Sequence, residues 1–150
     1  MSILIEEMVS YRIRSLLSQN SESAERTFGD ALHMGYLGYS VGRREYLFAC
    51  RTESWMQNPN GVVHGGICAT IADQAMGIVA YCVKEQNIIA PTVQLQINYH
   101  RPLLIDKEVT VGVQVVSVSA QLIHVQAQAV CADRPESVCF SAAATFFCKV

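Results

Sequence analysis

No basic run occurs anywhere in the 150 residues, and 11 lysines and arginines stand against 13 aspartates and glutamates. A surface that holds nucleic-acid phosphates needs clustered positive charge, so that class of partner is excluded. Charge is scarce altogether, at 16% of residues, and low-complexity tracts, linkers and internal repeats are missing. None of the six cysteines forms a CxxC pair, and the four histidines do not bracket them at zinc-finger spacing, so no metal site is expected. The cysteines read instead as small buried apolar side chains in a reducing cytoplasm. Glu6 and Glu7 beside the short apolar start are unlike a cleavable export signal. No stretch of about 18 apolar residues is found that would span a bilayer.

What the chain does hold is apolar content, 51% of residues, ample for one continuous core and too much for disorder. Its length fits a single domain over residues 1–150. Ile5, Met8, Val9, Ile13, Leu16 and Leu17 recur at three- and four-residue steps, predicting an amphipathic helix over about residues 3–19. Residues 18–27 are polar and read as a loop. Runs at 36–41 and 45–51, separated by Gly42-Arg43-Arg44, predict a hairpin, and Asn58-Pro59-Asn60-Gly61 predicts a turn.

Residues 66–83 are different. Only Thr70, Asp73 and Gln74 are polar, and apolar residues stand at every angle, predicting a helix buried all round. Period-two alternation follows around 93–99, 109–115 and 125–129, with a last strand over 138–147. Strands with one wet and one dry face suit an antiparallel sheet, and one sheet must wrap the dry helix. The predicted class is α+β.

Between Glu53 and Lys84 the only Asp, Glu, Lys or Arg is Asp73, in the middle of that helix. A carboxylate there needs hydrogen bonds, a partner charge or water, because burying it alone costs several kcal/mol. It could cap a neighbouring loop, or serve as a catalytic base or nucleophile. His64-Gly65-Gly66 directly precedes the helix, where unpaired backbone amides and the positive end of the dipole suit negative charge developing on oxygen. Eight residues separate Gly65 from Asp73, about 12 Å of helical rise. An amide donor and a base must lie within about 3 Å of adjacent substrate atoms, so one helix cannot offer both to one carbonyl. Two copies packed antiparallel can, which predicts a site shared across a homodimer.

The stretch Asn58-Pro59-Asn60-Gly61-Val62-Val63-His64-Gly65-Gly66, followed by Ala69-Thr70-Ile71-Ala72-Asp73, resembles the hotdog-fold thioesterases of the phenylacetate-degradation (PaaI-like) type, whose pattern is N-x-x-G-x-x-H-G-G with an Asp eight residues past the first paired glycine. Thr92 to Pro102 resembles the strand that follows the hotdog helix in that family. The resemblance implies a helix inside a curled antiparallel sheet, with the N-terminal helix an addition. It implies dimers and often tetramers, no metal or cofactor beyond the coenzyme A of the substrate, and acyl-CoA thioester hydrolysis. It also implies that Asp73 activates water or attacks directly, that the Gly65 N–H polarises the carbonyl, and that Asn58 orients water or carbonyl from the partner chain. Thr92 would hold the water near Asp73, and His64 and Gly66 would be substrate-binding, Gly66 giving room beside the thioester and His64 bracing the loop rather than serving as the general base.

Each position has a plainer reading. Asn58 before Pro59 is a natural turn former, and strict alternation groups Thr92 with the wet-face residues Gln94 and Gln96. Cys68 has nothing basic beside it and reads as core. Arg101, Lys107 and Arg134 could meet coenzyme A phosphates but read as solvated charge. Two other functions compete. Hotdog hydratases carry D-x-N-x-x-H, whereas the loop here has Asn58 and Asn60 and no Asp before His64. A module that binds or senses acyl-CoA without turnover would gain nothing from a buried carboxylate.

Overall fold

The computed structural model describes residues 3–21, 27–84 and 90–148. Helix α1 (Ile3–Ser21) opens the chain, followed by strands β1 (Gly35–Ser40) and β2 (Glu45–Arg51) and helix α2 (Gly65–Val83). Strands β3 (Thr92–Tyr99), β4 (Glu108–Val118), β5 (Leu122–Cys131) and β6 (Val138–Phe147) complete it. All six strands form one antiparallel sheet in the order β1-β2-β4-β5-β6-β3. The strand that follows α2 in sequence therefore sits at one edge of the sheet, beside β6. Part of the expected 18–27 loop belongs to α1, which runs to Ser21, and residues 22–26 lie outside the described residues.

The alternation seen in the sequence sets the faces. Val109, Val111 and Val113 of β4, and Ile123, Val125, Ala127 and Ala129 of β5, are buried against α2. Gln126 and Gln128 point outward to solvent. The central inward positions of β5 and β6 are alanines (Ala127, Ala129, Ala142, Ala144), which lets the helix lie close on the sheet. Gly77 continues this fit, because a Cβ there would stand 3.4 Å from the Phe146 ring. A helix seated in a curled antiparallel sheet, with α1 added at the side, is the hotdog fold.

Two expectations are corrected. Helix α2 is not buried all round: Gly66 is exposed and Thr70, Asp73 and Gly77 are half-buried, while Ile71, Ala72, Ala75, Met76 and Val79 are fully covered. A single sheet covers only part of the helix, and Gly66, Thr70 and Asp73 face the uncovered side. The second concerns membranes. With 19 residues and a hydropathy of 1.5, α2 is long and apolar enough to cross a bilayer by length and composition alone. The three polar residues interrupt its apolar run without lowering the average far. In the folded chain this helix is the inner wall of the core, where each fully buried Ile, Val or Met contributes roughly 1.5–3 kcal/mol.

Helix α1 anchors the far end of α2. Val9 and Ile13 are fully buried, whereas Ile5 and Met8, expected on the apolar face, are exposed at 40% and 42%. The Arg12 guanidinium donates to the carbonyls of Cys82 (3.1 Å) and Lys84 (2.6 Å), satisfying acceptors that a helix C-terminus leaves open. Thr52, fully buried, ties the end of β2 to the 104–107 loop. Its hydroxyl donates to the Leu104 carbonyl at 2.8 Å and accepts from the Lys107 N–H at 2.9 Å.

The six cysteines are all buried and unpaired. Burial pushes the thiols of Cys50 and Cys68 up to about 11 and that of Cys82 up to about 12, from an ordinary value of 9.0. Below about pH 9 these thiols are neutral in folded and unfolded chains alike. Above it the unfolded thiols ionise first, so unfolding releases protons and stability falls as pH rises toward 11. A lower urea midpoint at pH 10 than at pH 8 is expected, and equal midpoints would contradict the burial of the thiols.

Candidate active site

The segment 57–64 approaches α2 as a braced loop. The Asn58 N–H donates to the Val62 carbonyl at 2.8 Å, and the Gly61 N–H donates to the Asn58 carbonyl at 3.0 Å. Gly61 takes φ +76, a left-handed value that glycine adopts without strain. The Asn58 side-chain oxygen accepts from the N–H groups of Asn60 (2.9 Å) and Val62 (3.4 Å). The turn-forming reading of Asn58 therefore holds for its oxygen, while its NH₂ group has no partner among the described residues. From outside the loop, the Val63 N–H donates to the Leu103 carbonyl at 2.8 Å. Thr52 thus supports this loop indirectly, through the neighbouring 103–107 segment.

Helix α2 then starts with four amides that have no partner one turn back. The His64 N–H donates to the Met56 carbonyl at 2.8 Å, and the Ile67 N–H donates to the His64 carbonyl at 2.9 Å. The Gly66 N–H donates to His64 Nδ1 at 2.9 Å, so the imidazole is the N-cap. Accepting at Nδ1 places the ring's proton on Nε2. The space beside Gly66 belongs to this ring, since a Cβ there would lie 3.2 Å from Nδ1. Only the Gly65 N–H remains without an acceptor among the described residues.

Asp73 lies two turns further along α2, half-buried on the uncovered side. Its Oδ1 accepts the Thr92 hydroxyl at 2.8 Å, and no partner of Oδ2 is found among the described residues. Strict alternation would send Thr92 to the wet face, but the strand does not alternate strictly. Thr92 pairs with Phe146 and Gln94 with Thr145, so a bulge at Val93 resets the phase. Thr92 thereby joins Leu95, Ile97 and Tyr99 on the helix side, and the Gln residues keep the outer side. A bulge is invisible to periodicity because it is defined by the partner strand.

The candidates fall into two pairs. Asn58 and Gly65 line one open groove of about 350 Å³, together with Cys68, Tyr99 and Arg101 among others. Asp73 and Thr92 are bonded to each other and do not line it. Cys68 touches the groove, but burial, with Cys139 nearby, keeps its thiol protonated, which disfavours a nucleophile. Lys107 is engaged with Asp133 at 2.6 Å, and the Arg101 guanidinium donates to the Val138 carbonyl at 3.2 Å. Among the described residues no cluster of three His, Cys, Asp or Glu side chains could hold a metal ion. Sequence reasoning missed Tyr99, whose hydroxyl donates to the Gly65 carbonyl at 2.8 Å. The one available signal was its place seven residues after Thr92 on the same strand.

Residues 60–138, more than half of the chain, match the sequence profile of the Thioesterase superfamily. The chain belongs to that superfamily and is a thioester hydrolase with the hotdog fold. Solved structures agree on the fold. The Escherichia coli PaaI protein of the phenylacetic acid degradation operon is 16% identical and superposes with a TM-score of 0.76, over 95% of this chain and 96% of that one. A Haemophilus influenzae thioesterase is 15% identical, with a TM-score of 0.75 over 91% and 90% of the two chains. A Streptococcus mutans protein solved with acetyl-CoA bound is 19% identical, with a TM-score of 0.70 over 87% and 97%.

The cap makes a prediction. His64→Ala removes the acceptor of the Gly66 N–H and is expected to cost about 1 kcal/mol in chemical denaturation, with His64→Asn recovering most of it. Equal stability of His64→Ala and the parent chain would contradict the capping role.

Proposed function

We propose that this chain hydrolyses acyl-CoA thioesters, with each active site built from two copies of the chain. The observation that carries the reading is the separation of the candidates into an amide pair, Asn58 with Gly65, and an acid pair, Asp73 with Thr92. Each pair is half of a hydrolytic site, and the helical rise of about 12 Å between Gly65 and Asp73 keeps one chain from joining them. In an antiparallel dimer the groove of one protomer meets Asp73 of its partner. Hydrolysis by water then runs as follows. Asp73 takes a proton as water adds to the thioester carbon, and the oxygen that becomes negative sits on the Gly65 N–H. The NH₂ group of Asn58 is the second donor. The tetrahedral species collapses, the C–S bond breaks, and coenzyme A leaves as a thiolate that picks up a proton. Direct attack by the free Oδ2 of Asp73 uses the same parts and gives an anhydride for water to open.

Thr92 fixes one carboxylate oxygen and leaves the other for this work. The reading needs no cofactor beyond the coenzyme A of the substrate. Six unpaired thiols favour a reducing cytoplasm, and further pairing of dimers into a tetramer is compatible with it. The test is release of free thiol from a panel of aliphatic and aromatic acyl-CoAs. Asp73→Asn is expected to keep the fold by circular dichroism and to lose about a hundredfold or more in kcat. Wild-type rates in Asp73→Asn would overturn the mechanism, and no turnover of any panel member would favour an acyl-CoA-binding module.

A further inference from the structure

Helix α2 begins with two glycines, Gly65 and Gly66, the residue type least able to hold a helical conformation apart from proline. An amide that polarises a carbonyl must nevertheless stay fixed, since a misplacement of about 1 Å can cost about a hundredfold in rate. Gly66 is held by the His64 ring at 2.9 Å. Gly65 is held by Tyr99. The phenol hydroxyl donates to the Gly65 carbonyl at 2.8 Å, and the ring occupies the place of the missing side chain. A Cβ on Gly65 would stand 3.3 Å from both Cζ and the hydroxyl oxygen of Tyr99. The same ring lines the groove with Asn58 and Gly65.

We propose that Tyr99 is a positioning residue of the reaction: its hydroxyl and ring hold Gly65 so that its N–H points steadily at the substrate carbonyl. This rests on the thioesterase reading of the site. Tyr99 is not the proton donor to the leaving group, because its proton is already given to the Gly65 carbonyl. Burial, with Cys68 nearby, raises its pKa, which keeps it a donor. The strand makes this possible. With the phase reset at Val93, β3 presents Thr92 and Tyr99 to the same helix, one to the acid and one to the amide. A strand crossing the helix in the opposite direction thus fixes both ends of the chemical segment.

The experiment compares Tyr99→Phe with the parent enzyme by steady-state thiol release, thermal melting and NMR relaxation of the glycine amides. Tyr99→Phe keeps the ring and removes only the bond. The expected result is a kcat about five- to tenfold lower, the loss of roughly one neutral hydrogen bond, with KM within about twofold and the melting midpoint kept. A lower backbone order parameter at Gly65 should accompany it. A purely structural role would move the melting midpoint and leave the kcat-to-KM split untouched. Wild-type kcat together with an unchanged Gly65 order parameter in Tyr99→Phe overturns the proposal. If the parent enzyme releases no thiol from any acyl-CoA, the functional reading fails by itself. The relaxation arm then still decides whether the hydroxyl holds Gly65: a lower order parameter supports that hold, and an unchanged one overturns it.

Discussion

The start of α2 has four amides without helical partners and, among the described residues, finds acceptors for three of them, the Met56 carbonyl, His64 Nδ1 and the His64 carbonyl. A buried or half-buried N–H left open is costly, so the fourth, on Gly65, marks where the fold keeps a donor in reserve. The neighbouring features are arranged around it. The 57–64 loop is braced by its own turn and by Leu103, so that the chain enters the helix at a fixed angle. Two glycines let the His64 ring and the Tyr99 ring reach the backbone.

The carboxylate obeys a different constraint. Asp73 stands where the sheet does not cover the helix, because six strands curl around one side only. Its charge is met by the Thr92 hydroxyl, and that bond exists because β3 bulges at Val93. An edge strand carries this feature, at the side of the sheet where another chain can approach. Acid and amide are thereby held rigidly on one scaffold yet out of each other's reach, and a dimer is the simplest arrangement that unites them.

Much of this was legible in the residues. The strand alternation at 109–115 and 125–129, the existence of the apolar helix and the lone acid within it followed from periodicity and charge counting, although the helix is not dry on every side. The N-x-x-G-x-x-H-G-G stretch pointed to the right superfamily. What could not be read depends on neighbours distant in sequence. The phase of Thr92 is set by its pairing with β6, the exposure of Asp73 by the limited wrap of the sheet, and the Tyr99 bond by the crossing of β3 over the helix start. Ile5 and Met8 had the right helical spacing but reach past the surface that Val9 and Ile13 cover. His64 shows the converse. Its role as a brace was read from resemblance, whereas the cap its ring forms by accepting from the Gly66 N–H is visible only in the structure.

The most direct test of a site divided between two chains is subunit complementation. Asp73→Asn and Asn58→Ala chains are purified separately, each of low activity, then mixed in equal amounts, unfolded and refolded together. In a mixed dimer one site draws Asp73 from one chain and Asn58 from the other and is intact, while the second site carries both changes. Random pairing makes half the dimers mixed, so the refolded mixture should recover about a quarter of the wild-type rate. Activity no greater than the mean of the two separately refolded variants would contradict the shared site and return the whole reaction to a single chain.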